Sequence, residues 1–470
     1  MLHFRIFCAA LAVLLSFSAC SGTSSTEFQE APAPAAGPSV IVVGAGMAGL
    51  RAASLLNDAG MQVTVLESRD RIGGRTWSDD SLGTTLDLGG SWIHGITGNP
   101  LYEYAAEVGA EMVEWNYDLY TVFNPDGSTS RLINEDDDRF FAPLEAAGAA
   151  YVVANGEGSL QDAIDGAVAN GSLSEFTNEE INFIATTFIE DSYATEASNI
   201  GLIGYSESGG ESFPGADAVD FDPEVVFPRG YNQITDALAE GLSIENGVRV
   251  NSIDYSGEQV IVSDGQNSYS ADYVLVTVPL GVLKEGVIEF QPALPTSKLA
   301  AINAMDMGVL DKVYLRFPDV FWRDEFDNFG YVSDSVNEYA SWLSLVNLTG
   351  EPILLAFSSA DEAIANEALS DAEIIAKVMQ ILRSIYGESI PEPTGSTITR
   401  WYQDPNSYGS YSNLPPGSSV SAISDLAQEI DNKLFFAGEA TSEYQSTVHG
   451  AYLSGVREAE KIIAVQNSGS

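Results

Sequence analysis

Three glycines and one glutamate are the residues of this chain best placed to do chemistry. Gly44-x-Gly46-x-x-Gly49 follows the apolar run Ser39 to Val43 and precedes Leu50 to Asp58, which reads as a helix. Gly44 permits a tight turn, Gly46 lets the backbone approach a pyrophosphate, and Gly49 lets helix and strand pack closely. Phosphates would sit on N–H groups at the positive end of that helix, so the binding residues expected here are Gly44, Gly46, Met47, Ala48 and Gly49. A second strand, Gln62 to Leu66, ends in Glu67, about twenty residues on, where a carboxylate accepts hydrogen bonds from a ribose. A glycine-rich turn in an ordinary α/β fold is the bland alternative. Strand, glycine trio, helix, strand and acid in register argue instead for a dinucleotide-binding unit.

The elements that must position these residues need a large chain, and this one has 470 residues, enough for two domains. It carries 67 acids against 20 bases, a net charge of −47. Such a surface repels nucleic acid and anionic lipid headgroups, so no nucleic-acid partner is expected. The acidity fits attraction of a cationic substrate, and it equally fits solubility in salty surroundings. Cys8 and Cys20 are the only cysteines, which leaves the rest of the chain without a disulfide, a thiolate nucleophile or a cysteine–metal site. His3, His94 and His449 are the only histidines, too few for a zinc or non-haem iron centre.

Met1 to Arg5 is basic, Ile6 to Phe17 is a short apolar stretch, and Ser18-Ala19-Cys20 follows. This layout is that of a secretory signal, and small residues before a cysteine resemble a bacterial lipobox. Residues 1–20 are therefore expected to be a lipoprotein-type signal peptide, with a lipid on Cys20 as the only membrane attachment. Residues 21–37, rich in Ser, Ala and Pro, read as a flexible linker. The expected location is outside the cytoplasm, in the periplasm or anchored at an outer membrane.

Further along, 101–108 and 179–190 have helical spacing of apolar residues, as does the long stretch 371–386. Strands are predicted at 248–253, 259–262, 273–278, 311–317, 353–357 and 434–437, and a last helix at 447–464. A lysine inside the apolar strand 311–317 is costly unless satisfied, which marks Lys312 as a functional candidate. Nucleotide-type segments at the start, middle and end imply one cofactor domain made of 38–95, 227–290 and 397–468. The insertions 96–226 and 291–396 would form a substrate-binding domain.

Several motifs carry a resemblance over nearly all of Pro38 to Ile463: Glu67-Ser-Arg69-Asp-Arg71-Ile-Gly-Gly-Arg75, Leu88-Gly-Gly-Ser-Trp-Ile-His-Gly95, Phe227-Pro-Arg-Gly-Tyr-Asn-Gln-Ile234, and the segments 308–322, 400–412 and 436–455. Together they resemble the flavin-dependent amine oxidases, and within them the polyamine oxidases. The resemblance implies an α/β, two-domain fold, a Rossmann-like FAD-binding domain beside an α+β substrate domain with a mixed sheet. It implies that Glu67 holds the ribose while Arg69 and Arg75 approach the FAD pyrophosphate, Arg75 being suited to bidentate phosphate contact. Gly90 and Ser91 would pass under the isoalloxazine ring, with His94 facing the substrate tunnel. Val250 would contact the adenine through its backbone, Lys312 would hold a water at flavin N5, and Trp401 would flank the ring. Gly438, Glu439, Thr447 and Val448 would bind the ribityl chain, the pyrophosphate and the pyrimidine edge. Tyr411 and Tyr444 would form an aromatic sandwich in front of the flavin. Where monoamine oxidases tether FAD through a cysteine, this chain has Ser410 nearby, so FAD is expected to be non-covalent.

The activity so implied is oxidation of amines, most of all spermine, spermidine or their acetylated forms. Hydride passes from the amine carbon to flavin N5, the imine hydrolyses to aldehyde and amine, and dioxygen is reduced to hydrogen peroxide. Distal ammonium groups would meet carboxylates, with Glu190, Asp191 and Glu196 as candidates. Alternatives are an oxidase of monoamines or amino acids, a flavin desaturase, and a non-catalytic surface lipoprotein that binds polyamine or flavin. Histone demethylase relatives are not expected, because no chromatin-targeting module or long helical insertion is visible and the leader reads as an export signal.

Overall fold

The computed structural model of the chain describes residues 37–116, 120–132, 137–207, 223–323, 326–333 and 339–469. The expected signal peptide, Cys20 and nearly all of the linker lie outside them.

The dinucleotide unit begins with β1 (Ser39–Val43), passes through α1 (Met47–Asp58) and returns in β2 (Gln62–Glu67). Val40 to Val43 are all buried, as a parallel strand covered on both faces must be. Their side chains alternate: Val40 and Val42 join one core, Ile41 and Val43 the other. The sheet is wholly parallel, in the order Leu434–Phe436, Tyr273–Val276, β1, β2, Ser243–Asn246. Val43 stands opposite both Leu66 and Val276, so the loops after all three strands leave from one edge. The glycine turn comes off that edge.

α1 and the last helix, Val448–Gly469, cover one face, where Gly455 lets the two meet: a Cβ there would lie 2.3 Å from the Ala48 carbonyl oxygen. The other face carries a four-stranded sheet ordered Ser268–Ala271, Val260–Ser263, Ser252–Asp254, Glu289–Gln291. The strand expected over 248–253 starts only at Ser252, and the residues before it run as irregular chain.

A second, six-stranded mixed sheet is ordered Gly395–Ile398, Leu310–Arg316, Ile353–Ser359, Ser341–Ser344, Asn328–Tyr331, Tyr120–Phe123. Its pairings are antiparallel except the last. The helix Asp371–Tyr386 packs on it through Ile374, Val378, Ile381 and Leu382, and starts in a capping box of Ser370 and Glu373. Where a single helix was expected over 179–190, the helix Asn178–Ala185 passes into a π-helical turn, Thr186–Glu190, then Asp191–Tyr193, and ends with Ala194 at φ 55°. π-turns insert a residue and re-aim the side chains around them.

Candidate active site

The loops at the parallel edge enclose a groove of about 180 Å³ lined by Gly44, Gly46, Met47, Ala48, Glu67, Arg69, Arg75, Gly90, Val250, Gly438, Glu439, Thr447 and Val448. Gly44 sits at φ +110°, a conformation glycine favours. A Cβ on Gly49 would lie 2.0 Å from the Gly44 carbonyl oxygen, so Gly49 packs helix against strand and does not itself line the groove. In front of Gly46 a Cβ would meet no protein atom within 4 Å. That space belongs to the groove, and the N–H groups opening α1 face it, as a pyrophosphate requires.

Glu67 is buried at the end of β2, where its carboxylate accepts the Ala45 N–H at 2.7 Å and the Arg69 N–H at 2.9 Å. Two such bonds fix both loops and leave lone pairs for ribose hydroxyls. Arg69 pairs with Asp404 at 2.7 Å. Arg71 turns back on its own loop, donating to the carbonyls of Ile72 and Gly74 and lying 4.3 Å from the Trp77 ring. Arg75 donates to the Ser410 carbonyl at 2.7 Å and pairs with Glu439 at 3.0 Å, while Glu439 also accepts the Ser412 hydroxyl and the Ser446 N–H. Arg75 and Glu439 thereby brace three distant segments around the groove. Thr447 caps the last helix by accepting the Gly450 N–H at 2.9 Å, and the positive end of that helix opens on the groove. An acid at one end, open N–H groups and arginines midway, and a second helix start at the other end fit FAD.

Arg75, Gly90, Ser410, Tyr411, Ser446, Thr447 and Val448 line this groove and also a larger cavity of about 390 Å³ that opens from it. Ser91, Trp401, Lys312 and His94 line the larger cavity. Lys312 is buried, and its ammonium donates to the carbonyls of Asp87 at 2.9 Å and Gly89 at 2.7 Å and to the Ser91 hydroxyl at 2.6 Å. Those acceptors use every N–H of the ammonium and offset its desolvation. Burial still pulls Lys312 down, to about 8, against the field of Asp87. Asp87 itself is pushed up to about 6 by burial, opposed by its bonds to Ser78 and the Tyr231 N–H and by Lys312.

His94 stacks on Trp92 at 6.4 Å, and its Nδ1 lies 2.7 Å from Glu224. Glu224 also lines the cavity and escaped the sequence reading. It has no motif of its own; it arrives because Val225–Val226 pairs antiparallel with Trp92–Ile93. Tyr411 lines both cavities and donates its hydroxyl to the Asp191 carbonyl at 2.6 Å. Tyr444 lines neither: its ring packs against His449, 5.4 Å away, below the turn that starts the last helix. The structure thus brings one of the two expected sandwich tyrosines to the cavity and sets the other beside it.

Of the three candidate carboxylates, only Asp191 lines the cavity. The hydroxyls of Ser341 and Ser359 donate to it, and burial pushes it up to about 6 despite them. Glu190 turns inward to accept the Ala197 N–H at 3.0 Å and the Thr186 hydroxyl at 3.2 Å, and burial first, then Glu196, raises it to about 8. Glu196 accepts the Asp361 N–H at 3.2 Å. The π-turn carries Thr187 and Phe188, and Asp191 follows it directly; all three line the cavity, together with Phe329, Trp342 and Phe357.

The family model described as flavin containing amine oxidoreductase matches residues 47–463. Lysine-specific histone demethylase 1 homolog 2 of Arabidopsis thaliana is 37% identical over 452 residues, covering 91% of this chain and 59% of its own length. Lysine-specific histone demethylase 2 of Homo sapiens is 33% identical over 453 residues, covering 91% of this chain and 53% of its own. Among solved structures, wild-type putrescine oxidase bound to putrescine aligns with a TM-score of 0.72 at 22% identity, over 91% of this chain and 99% of that one. The fold is therefore that of a flavin amine oxidase, and the chain belongs to the flavin-containing amine oxidoreductases. It is an oxidoreductase with FAD as cofactor, and it spans little more than half the length of the curated relatives it matches.

These relatives correct two expectations. The location outside the cytoplasm as a bacterial lipoprotein is overturned: relatives matched across 91% of the chain include plant and human proteins named for histone demethylation. A twenty-residue pattern of basic, apolar and small residues weighs little against likeness over the whole folded part. Setting the demethylase relatives aside was likewise wrong, because the catalytic fold they share needs no targeting module to be recognised. The exclusion of nucleic-acid partners, argued from net charge alone, finds no support among them.

Proposed function

We propose that the protein is an FAD-dependent oxidase of cationic amines, with polyamines as its substrate class. In this reading 38–95, 227–290 and 397–468 hold FAD non-covalently, and 96–226 and 291–396 shape the amine side. The observation that carries it is the junction of the two cavities: the cofactor groove opens, past Tyr411 and Thr447, into an aromatic-walled chamber holding one half-buried, serine-bonded carboxylate. FAD, when bound, supplies a two-electron oxidant for the carbon beside the nitrogen and passes the electrons to dioxygen, giving hydrogen peroxide.

The chain's own residues do the rest. Phe188, Trp342, Phe357 and Tyr411 exclude water around the reacting nitrogen, which favours its neutral form. Ionised Asp191 accepts a distal ammonium and so fixes how far the chain of the amine reaches. Lys312 ties the segment 87–91 to the second sheet and holds it beneath the place of the ring. A second reading has specific support: the demethylase relatives and the net charge of −47 suit a methylated lysine in a basic peptide.

The test is anaerobic bleaching of the flavin and aerobic peroxide release with putrescine, spermidine, spermine, acetylated polyamines, aromatic monoamines and a methyl-lysine peptide. Bleaching by polyamines is expected. Bleaching by the peptide alone moves the assignment to the second reading, and no bleaching by any of them sinks both.

A further inference from the structure

Asp311 and Lys312 are neighbours on one strand, so their side chains leave opposite faces of the sheet. Lys312 reaches the segment under the ring site. Asp311 reaches the loop that carries Trp401: its Oδ1 accepts the Thr399 hydroxyl at 2.8 Å and the Trp401 N–H at 3.1 Å. Glu367, at the end of the helix Ala360–Glu367, takes the next two N–H groups, Tyr402 at 2.6 Å and Gln403 at 2.8 Å. Thr399 closes the arrangement by accepting the Lys312 N–H at 2.8 Å. Three consecutive backbone donors of the loop thus end on two carboxyl groups.

Both carboxyls are 4% exposed, and among the described residues neither forms an ion pair. The nearby cations are committed elsewhere: Arg400 to Asp371, Lys377 to Glu362, Arg69 to Asp404 and Lys312 to the 87–91 segment. Asp311 Oδ2 is buried and meets no donor, while the Glu367 side chain lies within hydrogen-bonding reach of the Asp311 carboxyl. Two carboxylates cannot both stay ionised in contact without a cation. Each Glu367 oxygen already accepts an N–H, Oε1 from Tyr402 and Oε2 from Gln403, whereas both donors to Asp311 fall on Oδ1, so the proton belongs on Asp311 Oδ2.

We propose that Asp311 and Glu367 share one proton as an acid–carboxylate pair, and that this pair positions Trp401 and, through Thr399, Lys312 for the flavin ring. Burial first, and the charge of Glu367 second, push the Asp311 carboxyl well above the usual carboxylate range, in keeping with a neutral acid. Asp311 and Glu367 touch neither substrate nor cofactor groove; they are positioning residues. The inference rests on the amine-oxidase reading only for its effect on turnover.

The experiment compares Asp311→Asn, Asp311→Leu and Glu367→Gln in the FAD-loaded protein. Asparagine keeps the Oδ1 acceptor and donates an N–H to Glu367, so hydrogen exchange of the 400–404 segment, visible circular dichroism and amine bleaching should all stay within about twofold of the parent. Leucine keeps the branched outline, though it is bulkier, and loses both bonds. Exchange at 401–403 should then accelerate by at least about tenfold, with a changed flavin dichroism band and slower bleaching at unchanged KM. Should Asp311→Leu fail to fold, Glu367→Gln serves, because its amide turns an N–H toward a backbone N–H and should loosen 402–403 alone. Asp311→Asn as damaged as Asp311→Leu overturns the shared proton, and unchanged exchange in Asp311→Leu or Glu367→Gln overturns the positioning role. Exchange and dichroism are read without amine, so they stand even if no amine is oxidised.

Discussion

The cofactor groove and the amine-side chamber meet at Tyr411 and Thr447, yet they are built by opposite means. The groove is made largely of backbone: glycines, helix starts and strand ends supply N–H groups, and the side chains serve to hold loops in place. The chamber is made of side chains that come from a π-turn, a strand edge and the face of a mixed sheet. A ligand shared by a whole family can be met by main chain, which substitutions change little. A ligand that differs between relatives must be met by side chains, which substitutions change readily.

The most severe break in this contrast is expected at Gly46. Its φ of −79° and ψ of 179° suit a β-branched residue, and a Cβ meets no protein atom within 4 Å. Gly46→Val should therefore fold with an unchanged thermal midpoint as apoprotein yet lose FAD affinity by about 100-fold or more, roughly 2.7 kcal/mol. Equilibrium dialysis with FAD and calorimetry of the apoprotein check the two halves separately, and a variant that keeps its yellow colour would show that the pyrophosphate does not pass Gly46.

Next in size is Asp191→Asn, which should raise KM for a diamine by about tenfold, roughly 1.4 kcal/mol, while leaving FAD affinity alone. The sign with pH follows from the raised carboxyl: Asp191 is protonated below about 6 and charged above it. Amine affinity should climb as pH rises through that value in the parent and stay flat across it in Asp191→Asn, read from KM between pH 5 and 7.5. The same raised value means that folding favours the protonated carboxyl, so its stabilising share is complete below the unfolded value near 3.8 and is lost as pH rises through about 6.

The smallest expected effect sharpens the comparison. Tyr444 lines neither cavity, so Tyr444→Phe should change kcat and KM by less than about twofold, whereas Tyr411→Phe forfeits the bond to the Asp191 carbonyl, worth about 1 kcal/mol. Equal effects of the two substitutions would give the Tyr444 hydroxyl a part on the amine side equal to that of Tyr411.

This contrast also explains what the sequence could and could not tell. Gly44, Gly46, Gly49 and Glu67 are legible because one local unit fixes their spacing, and the helix 371–386 because its apolar positions repeat faithfully. Lys312 is legible because a charge among apolar neighbours demands a reason. Ser243–Asn246 was missed: it is an edge strand with polar, exposed residues, held by hydrogen bonds to β2 on one side only. Glu224 is silent because only the pairing of Val225 with Ile93 brings it to His94. Asp191 could be nominated but not separated from Glu190, since a regular helix and a π-turn read alike in sequence while pointing adjacent carboxylates in different directions.

The parallel sheet is finished by Leu434–Phe436, and the residues that close the groove, from Gly438 to Val448, follow that strand. On the ribosome, then, everything from Ser39 to Val448 must emerge before the prosthetic group has anywhere to lodge. Until that moment Tyr273–Val276 presents a bare edge, so a chain halted between Val276 and Leu434 would be not a weakened flavoprotein but a colourless, adhesive intermediate.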